Sequence, residues 1–214
     1  MAILRFSVAA IVVFCVFALT FSVGETKPKT GAPQEVDFTY KGIALSDSEE
    51  KVLKKLGKPE YTREKRVYGI ALRYHEYKNN VAIGILERNN TVADIVIADK
   101  KYKARKNVRY GATTSYIEKI YGKKERERLE GETVYIYGRP NHKYEYLILF
   151  LDAETNSLKI MRITRLPMTE EAADAMGEDP SVSNDLFSIL AGTEEIDTSA
   201  LKKAEPVKVE GLEK

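Results

Sequence analysis

Residues 42–59 read GIALSDSEEKVLKKLGKP, and residues 107–124 read NVRYGATTSYIEKIYGKK. The two stretches align when Gly57 is placed opposite Gly122. Each has apolar residues at helical spacing and ends on a glycine, and each precedes three strand-like runs. An internal repeat of this kind predicts an α+β fold. The predicted fold is two tandem helix–three-strand units forming a two-layer sandwich, with the helices on one face of an antiparallel sheet.

The first unit is predicted to span residues 40–99. Its helix is predicted at 46–56, with Asp47 or Ser46 as the N-cap, because an acidic residue follows each of them three positions on. Runs that alternate apolar and polar residues predict three strands. These strands are 70–77, 81–87 and 92–98.

The second unit is predicted to span residues 100–166. Its helix is predicted at 113–121, with Thr113 or Thr114 as the N-cap. Three further runs predict strands, and the middle one is apolar on both sides, which is typical of a central strand. These strands are 132–138, 144–152 and 157–165.

The ends of the chain differ in composition from its middle. Residues 1–24 combine an early positive charge with an uncharged apolar run, which predicts a signal peptide cut before Glu25. The alternative is an uncleaved N-terminal anchor, because the apolar run is of borderline length for crossing a bilayer. Residues 25–39 are predicted to be a linker, and residues 167–214 an acidic and mostly disordered tail with one short helix after Pro167.

Composition and charge restrict the classes of function. The single cysteine, Cys15, lies in the predicted signal, so the exported chain would have no disulfide and no thiolate site. The net charge of the 214 residues is only +2, but residues 100–128 hold eleven Lys and Arg against three Glu. This distribution predicts a basic middle segment and an acidic tail.

The helix stretch in the second half carries a resemblance to a known family. VRYGATTSYIEKIYG, residues 108–122, resembles the opening of the SmpA/OmlA (BamE-like) domain, and the strand-like runs that follow match that family in order. Two such units in tandem resemble the fold of the β-lactamase inhibitor protein. The resemblance implies a protein of the cell envelope or periplasm that binds other proteins, peptidoglycan or phospholipid, and it implies no chemistry.

Two groups of residues are candidates for binding. The first is a set of tyrosines predicted on one concave sheet face, because tyrosine combines apolar area with a hydroxyl group. They are Tyr74, Tyr135, Tyr137, Tyr144 and Tyr146. The second is a basic group suited to an anionic lipid or wall polymer. It comprises Lys100, Lys101, Lys103, Arg105 and Lys106.

No motif in the sequence predicts catalysis, a cofactor or a metal. The two histidines, His75 and His142, are predicted to be ordinary surface residues, and they lack the spacing of a zinc motif. Predicted export argues against nucleic acid as the partner of the basic segment. We therefore expect an exported, non-catalytic envelope protein that binds another protein; the alternative is a structural factor that contacts anionic lipid or wall polymer.

Overall fold

A computed structural model of the protein describes residues 31–179, 181–182 and 186. The predicted signal and most of the predicted tail lie outside these residues. The described chain forms a 3-10 turn at Glu35–Phe38, then β1 Thr39–Tyr40, β2 Ile43–Ala44, α1 Glu49–Leu56, β3 Tyr61–Val67, β4 Ile70–Tyr77, β5 Val81–Leu86, β6 Val92–Ile97, a second 3-10 turn at Arg105–Asn107, α2 Thr114–Tyr121, β7 Glu127–Leu129, β8 Glu132–Gly138, β9 Tyr146–Leu151, β10 Leu158–Thr164 and α3 Glu170–Gly177.

The predicted architecture of two tandem helix–three-strand units is wrong. Strands β3 to β10 form one antiparallel sheet of eight strands, in the order β3-β4-β5-β6-β10-β9-β8-β7, and β1 and β2 form a separate pair. Strand β6 pairs with β10 at the centre, with Ile97 opposite Met161 and Ile95 opposite Ile163. The sheet is therefore continuous, and it contains two strands that the sequence pattern did not predict.

The two strands missed are β3 and β7, which lie at the two edges of the sheet. Strand β3 reads YTREKRV, and six of its seven residues are exposed. An edge strand needs no continuous apolar side, and charged residues on it oppose pairing with other chains. Each strand joins its neighbour through a two-residue turn with positive φ at both positions, Tyr68-Gly69 and Glu130-Gly131. Such turns usually read Asn-Gly or Asp-Gly, so the sequence did not identify these two as hairpin turns.

Both faces of the sheet carry clusters of buried apolar residues. The face that packs against α1 and α2, here called the helical face, contributes alternate residues of the strands to the main core, together with Val52 of α1 and Ile117 and Tyr121 of α2. The opposite face, here called the second face, carries two smaller apolar clusters. Helix α3, which lies in the predicted tail, covers part of this face through Met176.

Each of the two predicted helices is capped by the side chain of the residue just before its first turn. Helix α1 begins after Ser48, whose hydroxyl accepts a hydrogen bond from the Lys51 backbone amide, so neither predicted N-cap is correct. Thr113 caps α2 in the same way by accepting from the Tyr116 amide, as one of the two alternatives predicted. The helices are therefore three residues and one residue shorter at their starts than the sequence pattern suggested.

Part of the predicted linker is packed against the folded domain. Phe38 is fully buried in the main core, and the buried carboxylate of Asp37 accepts hydrogen bonds from the Arg105 guanidinium at 2.9 and 3.0 Å. Arg105 also donates to the carbonyls of Ala32 and Ile120, which ties this segment to α2. The folded part therefore begins before residue 39.

The start of the predicted tail is packed as well. Helix α3 lies where the sequence predicted a short helix after Pro167, with Thr169 as its N-cap. Met176, Val182 and Leu186 are buried together on the second face. The remainder of the tail lies outside the described residues.

We predict that the two helix-terminal glycines differ in sensitivity to alanine. Gly57 and Gly122 have φ of +80° and +93°, so alanine is strained at both, by about 1–2 kcal/mol. A Cβ on Gly122 would also lie 2.1 Å from the Gly31 carbonyl oxygen, whereas a Cβ on Gly57 meets no atom within 4 Å. Gly122→Ala should therefore lower the free energy of unfolding by about 1–3 kcal/mol more than Gly57→Ala, measured in denaturant. Equal losses would show that the Gly31 segment does not pack there.

Candidate functional site

A pocket of about 310 Å³ lies on the second face of the sheet and is here called the second-face pocket. Its lining comes from opposite ends of the sheet, with Arg63 and Lys65 from the edge strand β3 and Glu132 from β8, the neighbour of the other edge strand. Strands lie about 4.8 Å apart, so β3 and β8, six spacings from each other, would be about 29 Å apart in a flat sheet. Their side chains line one pocket because the sheet curves around it, and the second face is therefore concave.

An ion pair between two central strands forms the polar centre of the pocket. Asp94 of β6 is 1% exposed, and it accepts a hydrogen bond from Nε of Arg162 on β10 at 2.8 Å. Burial opposes the charge on Arg162, but the attraction and the hydrogen bond of Asp94 outweigh it and raise the pKa of Arg162. Glu130, in the β7–β8 turn, lies 3.6 Å from the same guanidinium. Arg162 is thus charged and held in one orientation.

A tyrosine completes this centre. The Tyr74 hydroxyl donates to the other carboxylate oxygen of Asp94 at 2.7 Å. Burial, followed by the charge of Asp94, raises the pKa of Tyr74 well above that of free tyrosine. Gly84 makes room for the ring, because a Cβ there would lie 3.1 Å from both Tyr74 and Asp94. The Tyr74 phenol is therefore a fixed hydrogen-bond donor at neutral pH.

The rim of the pocket carries charges of both signs over an apolar floor. Arg63 binds Glu76 at 2.7 Å and lies over the Tyr74 ring, and Lys159 binds Glu132 at 3.3 Å. The floor consists of Val96, Phe150 and Ile160. Such a pocket can hold a ligand with an apolar part and polar groups of either sign.

The structure does not bring the five candidate tyrosines together. Only Tyr74 lines the second-face pocket. Tyr135 and Tyr137 are buried on the helical face, where their hydroxyls donate to Glu118 and to the Gly122 carbonyl and so hold α2 in place. The other two, Tyr144 and Tyr146, are half-buried and pack against the clusters of the second face. The expected single face of tyrosines is therefore absent from the described structure.

The basic group separates into a structural member and surface members. Arg105 holds Asp37 and lies over the Tyr121 ring, so it belongs to the domain's own packing. The four lysines of the group are exposed, and among the described residues none of them forms an ion pair. They are Lys100, Lys101, Lys103 and Lys106.

His75 is not the surface residue that the sequence predicted. Its ring is 5% exposed, with Nε2 2.7 Å from the Glu49 carboxylate and Nδ1 3.1 Å from the Thr62 hydroxyl. This chain of contacts links α1 to β3 and β4 and lines none of the cavities described here. His142 lies 3.8 Å from Glu145 in a turn. Within residues 31–179, 181–182 and 186, no three His, Cys, Asp or Glu side chains are arranged to hold a metal.

The sequence pattern missed the charged residues of the second-face pocket. Asp94 interrupts the apolar strand VADIVI, and Arg162 interrupts LKIMRIT. A charged residue that points to a buried face of a largely apolar strand needs a partner, and that was the available signal. The identity of the partner depends on the pairing of β6 with β10, which brings together residues 68 positions apart.

No family model and no curated protein matches the sequence. Similar solved structures include an extracellular protein with an SCP domain from Bacillus anthracis, with 16% identity and a TM-score of 0.44 over 64% of this chain and 49% of that one. A cysteine-rich secretory protein from Staphylococcus aureus has 9% identity and a TM-score of 0.38 over 56% and 44%. The uncharacterized protein YfeY from Escherichia coli has 15% identity and a TM-score of 0.40 over 63% and 97%. The chain thus spans about half the length of the first two.

The predicted resemblance to the SmpA/OmlA family is wrong. No family model matches the sequence, and the continuous eight-stranded sheet does not match tandem helix–three-strand units. The predictions of a BamE-like domain and of a tandem repeat are therefore wrong as well. Two of the three neighbours are described as extracellular or secretory. None of the helices in the described part of the chain is long and apolar enough to cross a membrane.

We predict that Asp94→Asn lowers the free energy of unfolding by about 3–5 kcal/mol, because it leaves the Arg162 charge buried without its partner. The control is Lys159→Gln, which breaks the exposed pair with Glu132 and should lower it by at most about 1 kcal/mol. The double variant Asp94→Leu/Arg162→Met should recover much of the loss. Denaturant unfolding measures all three, and a loss in Asp94→Asn no larger than the control's would contradict a structural role for the pair.

We also predict a loss of stability at high pH. The pKa of Tyr74 is raised in the folded state, so its contribution is complete below the unfolded pKa of about 10 and is lost as pH rises above that value. Above about pH 10 the free energy of unfolding should fall with pH less steeply in Tyr74→Phe than in the parent protein. The difference between the two slopes should approach about 1.4 kcal/mol per pH unit. Denaturant titrations from about pH 8 to about pH 11 measure the slope, and identical slopes would contradict the burial of this phenol.

Proposed function

We propose that this chain is an exported, non-catalytic binding protein that holds a segment of another envelope protein in the second-face pocket. The observation that carries the proposal is this pocket itself. It is concave, its volume lies at the lower end of the range for ligand sites, and its central Asp94–Arg162–Tyr74 network is held rigidly by strand pairing. A binding site positioned on strands is more rigid than one built on loops.

The distribution of charge favours a polypeptide partner. Arg63 and Lys65 approach the pocket from one edge of the sheet, while Glu130 and Glu132 approach it from the other. A polypeptide can present a carboxylate, a cation and an apolar side chain in one short segment. An anionic polymer would meet the two glutamates and be repelled by them.

The edge strand β3 adds a second feature that suits a polypeptide. It pairs only with β4 in the described structure, and its exposed outer side adjoins the pocket through Arg63 and Lys65. Extended peptides commonly bind by adding a strand to such an edge. A partner seated in the pocket is therefore within reach of the backbone groups of β3.

A second candidate function rests on the exposed lysines of the basic group. Lys101, Lys103 and Lys106 form no ion pair within the described residues, so they are available to an anionic lipid or wall polymer. Attraction of this kind weakens as salt screens it. Contacts inside the second-face pocket, which include an apolar floor, depend less on ionic strength.

Site-specific photocrosslinking tests the polypeptide proposal. A photoreactive residue replaces Lys65 at the rim of the pocket, and the control places the same residue at Lys54, which is exposed on α1 at the helical face. Irradiation of envelope fractions should give a protein adduct, identified by mass spectrometry, at position 65 and not at position 54. The adduct should persist at high salt and should weaken in Glu132→Lys.

Three outcomes would count against the proposal. Equal adducts at both positions would indicate nonspecific contact, and an adduct containing only lipid or polysaccharide would favour the second candidate. Absence of any adduct at position 65, in a chain that crosslinks elsewhere, would exclude the pocket as the interface.

A further inference from the structure

A second cavity lies away from the second-face pocket, at the C-terminal end of α1. Its volume is about 330 Å³, and it is here called the lysine pocket. Three segments meet there: the β1–β2 turn with Lys41, the segment that follows α1 with Lys58, and the β4–β5 turn with Lys78. These three lysines come from distant parts of the chain, and the fold places them around one cavity.

The charges around this cavity are not balanced by the protein. Glu60 is the single acidic residue among those lining it, and none of the three lysines forms an ion pair within the described part of the chain. Lys55 extends toward the same turn, since a Cβ on Gly42 would lie 2.8 Å from its ammonium nitrogen. The C-terminus of α1 adds a partial charge of about −0.5. Even with Glu60, this leaves the pocket with net positive charge.

An apolar part of the wall comes from Tyr40, Leu56 and Val81. The cavity therefore combines several ammonium groups with an apolar side. Lysine is a common phosphate-binding residue in proteins. An apolar wall beside such a group would contact the non-ionic part of a larger ligand.

We propose that the lysine pocket binds a phosphate group, with Lys41, Lys58 and Lys78 around its oxygens. The site is independent of the second-face pocket and of the basic group at residues 100–106. The phosphate could belong to a small soluble molecule or to the headgroup of a phospholipid, since both present the same oxyanion.

The first experiment measures binding of inorganic phosphate and pyrophosphate by calorimetry, with protein purified from the exported fraction. Lys58→Gln/Lys78→Gln should lower the affinity at least about tenfold, because each lost charge-assisted hydrogen bond weakens binding. The matched control, Lys103→Gln/Lys106→Gln, removes the same charge from exposed positions outside the pocket and should change the affinity less than about threefold.

The second experiment identifies the source of the phosphate. Vesicles of phosphatidylglycerol and of phosphatidylcholine are compared in sedimentation assays. Binding to phosphatidylglycerol that is lost in Lys58→Gln/Lys78→Gln supports a lipid headgroup, whereas calorimetric binding without sedimentation supports a soluble ligand.

Two results would overturn the proposal. If both double variants weaken phosphate binding equally, or no phosphate binding is measured, the pocket is not a phosphate site. If Lys58→Gln/Lys78→Gln instead lowers the melting temperature without affecting phosphate binding, these lysines serve only to neutralise the end of α1.

Discussion

The antiparallel pairing of β6 with β10 is the constraint on which the rest of this structure depends. These strands lie at the centre of the sheet, and four residue pairs, from Met161 opposite Ile97 to Thr164 opposite Asp94, join its two halves. Side chains alternate across the pleat, so a shift by one residue would exchange the two faces. A shift of β10 against β6 would move Ile163 out of the main core and Arg162 into it. The register is thus strongly specified by what each face contains.

The same pairing creates the polar centre of the second face. Asp94 and Arg162 are distant in sequence, and each would be costly to bury alone, but the register of β6 and β10 brings them to hydrogen-bond distance. Tyr74 reaches Asp94 from β4 across the space left by Gly84. Buried ion pairs contribute little net stability compared with an apolar core. The arrangement fits a site kept for recognition, which is the role we propose for the second-face pocket.

The two proposed sites lie in different parts of the domain and use different chemistry. The second-face pocket has charges of both signs that are largely paired with one another, and its walls belong to the strands of one curved sheet. The lysine pocket has an excess of one sign, and its walls are turns and a helix end. One therefore suits a polypeptide and the other a phosphate, and a ligand in either leaves the other accessible. Two buried contacts belong to neither site. Arg105 binds Asp37 and so holds the N-terminal segment, and the Tyr137 hydroxyl donates to the Gly122 carbonyl and so holds the end of α2.

The sequence by itself determined those features that depend on near neighbours. Alternating apolar residues located six of the eight strands of the large sheet, helical spacing and a terminal glycine located α1 and α2, and Pro167 marked the start of α3 to within a few residues. These signals are local because the periodicities of strands and helices repeat every two to four residues. The N-cap of α1 was misplaced, since Ser46, Asp47 and Ser48 all suit that position and only the backbone conformation distinguishes them.

Only the tertiary structure decided how these elements combine. The repeat predicted three strands in each half, whereas eight strands pair in one sheet through β6 and β10, and α3 covers part of its second face. The edge strands β3 and β7 escaped prediction because their stability comes from a neighbouring strand and not from their own apolar pattern. The tyrosines were divided between two faces, and the two pockets were assembled from residues far apart in the chain. Contacts between distant residues leave no periodic signal in a single sequence, so the candidate sites could be found only from the folded structure.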